Sequence, residues 1–118
     1  MTMKKTLVII SFLISSAVWA NEEETRKIYK FGDCVNRHIA DVAKVLISIE
    51  EGSSLIKTRL CSDETSDLAN FWATNRKDEQ RPNFVDRYNS WSVVLTYDIN
   101  FLLYKEKLKQ FNSTNKAR

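Results

Sequence analysis

Histidine occurs once in the 118-residue chain, at His38, and cysteine only twice, at Cys34 and Cys61. A structural zinc site wants four nitrogen, sulfur or carboxylate ligands, so this inventory argues against a metal centre. The chain also lacks Gly-x-Ser-x-Gly, His-Glu-x-x-His, phosphate-loop and calcium-loop patterns. The commonest sequence carriers of hydrolytic, metalloprotease and nucleotide chemistry are therefore missing, and no cofactor is implied. There are no internal repeats, low-complexity tracts or interdomain linkers.

Excess charge is scarce too. Eighteen Lys and Arg face fifteen Asp and Glu, a formal +3. Two of those lysines, Lys4 and Lys5, open an N-terminal segment with the form of a secretory leader. An apolar run from Leu7 to Trp19 follows, interrupted only by Ser11, Ser15 and Ser16, and it ends in Val18-Trp19-Ala20. A charged start, a short apolar middle and a small-residue exit are what signal peptidase requires. The run is about 13 residues, whereas a membrane span needs about 20. Residues 1–20 are thus expected to be cleaved, and no cysteine follows that could take a lipid anchor. Without Lys4 and Lys5, sixteen basic residues remain against fifteen acidic ones, close to neutral. Nucleic-acid binding depends on many phosphate contacts, for which such a domain has no footprint.

About 98 residues remain, enough for one domain and one core. An even cysteine pair in a chain sent to an oxidising compartment, periplasmic or extracellular, reads as one disulfide, Cys34–Cys61.

What is abundant is helical periodicity. Asn21 can cap a helix whose first turn holds Glu22, Glu23 and Glu24, where the dipole favours acids. Ile28, Phe31, Val35, Ile39, Val42, Leu46 and Ile49 then recur at three- and four-residue steps. Gly52-Ser53-Ser54 resembles a turn, yet a hairpin there would leave Cys34 about 27 Å and Cys61 about 10 Å from it along their helices. A disulfide needs Cα atoms within about 7 Å. The turn is therefore expected within residues 47–54. In one arrangement the first helix ends near Ile47, and Ser48 caps the next helix in a box with Glu51. Alternatively, the helices cross steeply.

The second helix is expected to carry Leu55, Ile56, Leu60, Cys61, Leu68, Phe71 and Trp72 on its apolar side. The polar stretch 62–67 admits a kink or restart capped by Ser62 or Ser66. Pro82 disfavours helix in the residue before it and marks the following connection. A third helix starts at Pro82 or Asn83, with Phe84, Tyr88, Trp91, Leu95, Ile99 and Leu102 on one stripe. It runs without Gly or Pro to Phe111. Val93 to Tyr97 could form a strand locally, but the surrounding period is helical. Residues 112–118 form a polar tail expected to fray. The fold expected is all-α: residues 21–111 as a compact bundle of three to four antiparallel helices with one disulfide.

Candidate sites are few. His38 is the one side chain with a near-neutral reference pKa, and Asp41 lies one turn on. Glu64 and Asp67, three residues apart, could act as acid and base, although exposed acids usually mark a solvated face. Lys105, Lys107 and Lys109 complement a helix C-terminus and offer a sparse footprint for an anionic envelope surface. Tyr97, Phe101 and Tyr104 share a second face of the third helix, which a small domain can leave open for a protein partner or a second copy.

The segment Tyr29-Lys30-Phe31-Gly32-Asp33-Cys34 and the later Leu60-Cys61 resemble small uncharacterised secreted helical proteins of Proteobacteria, over residues 28–72. That resemblance implies an exported helical fold and transfers no site residues. Small exported immunity proteins, which neutralise toxins of neighbouring cells, are also helical and disulfide-bonded, with a different cysteine spacing. Three roles follow as expectations: a non-enzymatic module that binds a partner or itself, an immunity or inhibitor protein, and a small enzyme acting on envelope polymer through Glu64 or Asp67 with His38.

Overall fold

The computed structural model describes residues 21–45 and 47–117. The leader segment 1–20, Leu46 and Arg118 lie outside these described residues. Four α-helices and no strand are found among them: α1 (Asn21–Lys44), α2 (Ile49–Leu55), α3 (Ser62–Asn75) and α4 (Phe84–Ala117). A wider π-type turn, Ile56–Leu60, joins α2 to α3. None of the described helices is long and apolar enough to cross a membrane.

The architecture is a bundle of three legs. The first is α1, the second is α2 continued by α3, and the third is α4. Glu24 near the start of α1 meets Trp72 and Arg76 near the end of α3. Gln110, late in α4, donates to the Ala40 carbonyl in the second half of α1. So α1 and α4 point the same way, and the broken middle leg runs antiparallel to both.

The first turn comes earlier than Gly52-Ser53-Ser54. α1 ends at Lys44, and Ser48 caps α2: its hydroxyl accepts from the Glu51 N–H, while Glu51 Oε1 accepts from the Ser48 N–H. This reciprocal pair satisfies two amides that a helix start leaves unpartnered. Gly52 and Ser53 are instead buried inside α2. A Cβ at Gly52 would lie 2.6 Å from Leu103 Cδ2 and 3.1 Å from Val42 Cγ1, so the glycine permits close approach of α2 to α1 and α4.

The middle leg restarts at Cys61, whose φ of −128° and ψ of 33° break the helix. Its N–H reaches back five residues to the Ile56 carbonyl at 2.7 Å. Neither Ser62 nor Ser66 caps α3: no side chain caps its start, and the Ser66 hydroxyl pairs with Tyr88. The wider turn leaves Leu55 and Leu60 exposed, unlike the inward placement expected from periodicity, and keeps Ile56 and Cys61 buried. Cys61 is thereby brought to Cys34 on α1. The two are disulfide-bonded with Cα atoms 5.9 Å apart. Closing a loop of about 28 residues contributes roughly 3–4 kcal/mol on a chain-entropy account.

The core is built from Phe31, Val35, Ile39 and Val42 of α1, Ile56, Leu68 of α3, and Leu95, Ile99 and Leu103 of α4. Ile28 and Phe84, placed on apolar stripes by spacing, are exposed, Phe84 as the first residue of α4. α4 starts one residue after Asn83, whose side chain accepts from the Val85 N–H. It passes Phe111 and stays helical through Ala117, past the point where the polar tail was expected to begin. With neither Gly nor Pro in that stretch nothing interrupts it, and the Thr114 hydroxyl bonds back to the Gln110 carbonyl. The Val93–Tyr97 segment is helical throughout.

Candidate interaction face

α4 is 34 residues long, about 51 Å at 1.5 Å per residue. Its inner side fills the core. The opposite side presents Tyr97, Phe101 and Tyr104 at 66%, 61% and 53% exposure. The open patch is longer than those three residues. Val94, Leu108 and Phe111 are exposed as well, and the six follow one another at alternating steps of three and four. This alternation is the spacing of apolar residues along one face of an amphipathic helix, and coiled-coil seams share it. The sequence reading placed only Tyr97, Phe101 and Tyr104 on this second face. The unbroken three–four spacing from Val94 to Phe111 was the available signal.

Charged groups edge the seam. Lys105 Nζ lies 5.3 Å from the Phe101 ring centroid, within cation–π range. Asp98 lies on the same flank, one heptad before Lys105, and partial burial raises its carboxyl above the usual range. The three lysines expected to act together are divided. Lys107 donates to the Ala43 and Val45 carbonyls at 3.3 Å each and so closes the C-terminal end of α1. Lys105 and Lys109 remain at the surface.

Glu64 and Asp67 line an open cleft of ≈ 540 Å³ with Lys27 and Lys30 of α1 and Tyr88 of α4. Asp67 is paired with Lys27 at 2.9 Å. His38 is not among the residues lining this cleft. It sits half-buried on α1 one turn after Cys34, and its ring, Cys34 Sγ and Cys61 Sγ lie within 4.8 Å of one another. Both sulfurs are consumed by the disulfide, so no thiolate is available there to ligate a metal or attack a substrate.

A further cluster escaped sequence reading. Glu24 Oε2 accepts from Trp72 Nε1 and from Arg76, both at 2.6 Å. The Arg76 guanidinium lies over Trp72 and Trp91, whose ring centroids are 4.8 Å apart. The first turn of α1 is thus tied to the end of α3. Arg87 holds the next connection, donating to the carbonyls of Ala73, Arg81 and Pro82. These side chains join elements 14 to 52 residues apart in sequence, or span the Pro82 connection, and are structural. Comparisons with family models, with curated proteins and with solved structures find no match for this chain.

Proposed function

We propose that the chain is a non-enzymatic helical module, exported to the periplasm or the medium, which acts by binding protein through the outer face of α4. The observation that carries this reading is the row of large apolar side chains left open along α4, centred on Tyr97, Phe101 and Tyr104. An uncovered apolar patch of this extent marks an interaction site in a small domain, and aromatic side chains are enriched at the buried centres of interfaces. Export is supported by the leader pattern of residues 1–20 and by a cysteine pair of the kind that persists in oxidising compartments. An immunity or inhibitor role would use the same face and is a special case of this reading.

Envelope-polymer hydrolysis would require an acid and a base around one cleft. Here Glu64 and Asp67 line the cleft with two lysines, while His38 packs at the disulfide. The binding reading is tested by capturing partners from an envelope extract with the exported protein and with a Tyr97→Ala/Phe101→Ala variant of equal helicity. Loss of a specific partner in the variant is expected. Unchanged recovery would overturn the assignment of the face.

A further inference from the structure

We propose that the occupant of this face is a second copy of the chain, packed antiparallel about a two-fold axis at the middle of α4. The inference rests on the reading that the face binds protein, and it adds the partner, the orientation and the register.

Val94, Tyr97, Phe101, Tyr104, Leu108 and Phe111 form an exposed seam about 26 Å long. The steps of three, four, three, four and three match the a/d spacing of a two-helix seam, so a second helix at a shallow crossing angle stays in contact along the whole row. Among the described residues, α1 and the middle leg lie on the other side of α4 and none covers the seam, so the second helix is assigned to another chain.

The seam complements itself. With the two-fold axis between Leu102 and Leu103, Phe101 meets the partner's Tyr104. Tyr97 meets the partner's Leu108, and Val94 meets the partner's Phe111. Each outer layer thus sets a smaller side chain against a larger one, Val94 against Phe111 and Leu108 against Tyr97, while the central layers set aromatic against aromatic. Every contact is repeated by the two-fold, as in a closed isologous interface. The flanking charges match in the same register. Asp98 falls within about 3 Å along the axis of the partner's Lys105, and Lys105 likewise faces the partner's Asp98. Two opposite-charge pairs form per dimer. A parallel arrangement would instead place Asp98 beside Val93 and Lys105 beside Asn100, with no charge pairing. The charges therefore select the antiparallel dimer.

The area is sufficient. Six half-exposed side chains, four of them aromatic, offer about 600–700 Å² of apolar surface per copy. With the flanking residues, this approaches the roughly 800 Å² per partner of a standard interface.

The test uses the protein produced from the full coding chain in an oxidising, exporting host. Sedimentation equilibrium should show a monomer–dimer equilibrium. Tyr97→Ala/Phe101→Ala should weaken association at least tenfold with unchanged far-UV circular dichroism. Asp98→Lys and Lys105→Asp should each weaken it about tenfold, by placing like charges opposite one another. Combining the two swaps should restore dimerisation, because the swapped pairs again attract. Asp98 and Lys105 are seven residues apart on one helix, too far for that rescue to arise within one chain.

A protein monomeric up to millimolar concentration would overturn the second-copy proposal. So would a double swap no better than the single ones. If the monomeric protein still captured an envelope partner through Tyr97 and Phe101, the binding reading would survive without the dimer. A dimer indifferent to Tyr97→Ala/Phe101→Ala would overturn the second-copy proposal at this face, and partner capture equally indifferent to that variant would overturn the binding reading as well.

Discussion

α4 has two apolar faces with different fates. Leu95, Ile99 and Leu103 are completely buried, while Tyr97, Phe101 and Tyr104 on the other side stand open. Residue type does not separate the faces, since both are rich in large apolar side chains. The spacing of the rows and the neighbours they meet do. The inner row advances by fours, the ridge direction through which globular helices interdigitate, and α1 and the middle leg occupy its grooves. The outer row alternates threes and fours and finds no groove among the described residues. A face is buried because something fits it, and hydrophobicity alone does not supply the fit.

Adjacent residues give the sharpest way to break this contrast. Leu103→Ala should destabilise the monomer by about 3–5 kcal/mol, since a fully buried leucine leaves a cavity. Tyr104→Ala, one position on, should change it by no more than about 0.5 kcal/mol in dilute protein. Urea unfolding at low concentration checks both. Equal losses would mean that the outer face is covered in the monomer. Reducing the Cys34–Cys61 bond is expected to cost about 3–4 kcal/mol, and mass measurement before and after reduction verifies that the bond was present. Two free thiols in freshly exported protein would remove the cross-link that fixes the α1–middle leg geometry.

Gly52→Ala probes how tightly the inner side is closed. The added methyl meets Leu103 and Val42, both wholly or largely buried. Overpacking costs about 1–3 kcal/mol, partly offset by the roughly 0.5–1 kcal/mol helix preference of alanine. A net loss of about 1 kcal/mol in thermal unfolding is expected. A stabilised variant would show that the inner face has slack.

Much of this contrast could be read before the structure. Apolar spacing located α1, α3 and α4, and the demand that Cys34 reach Cys61 placed the first turn within residues 47–54, with the Ser48–Glu51 box as one of two arrangements. The box is present, and α1 ends at Lys44, earlier than that window. Local rules sufficed where the partners were a few residues apart. They failed at Gly52, whose role is set by Leu103, 51 positions later. They also failed at Lys107, whose ammonium closes a helix 62 to 64 residues earlier. The Glu24–Trp72–Arg76–Trp91 cluster is likewise invisible to periodicity, since only folding brings its members together. Tyr97, Phe101 and Tyr104 were legible as a second face, but their exposure was not, because it depends on how many legs the bundle has.

The smallest expected effect tests the boundary of the outer face. Partial burial without a cationic partner raises the Asp98 carboxyl in the isolated molecule. A raised carboxyl favours folding below its unfolded pKa, and that contribution is lost as pH rises through the folded value. Asp98→Asn removes the ionisation, so in dilute monomer the variant should gain slightly on the parent as pH rises through the carboxylate range. The two should converge toward pH 3. At concentrations where the antiparallel dimer forms, the partner's Lys105 would stabilise the ionised carboxylate, and the same substitution should weaken association above that range. A sign change with protein concentration, followed by paired unfolding and sedimentation measurements across pH, separates an exposed acid that is merely part-desolvated by its own chain from one that completes its environment with a second copy. A pH-independent difference between variant and parent at both concentrations would show that Asp98 belongs to neither face.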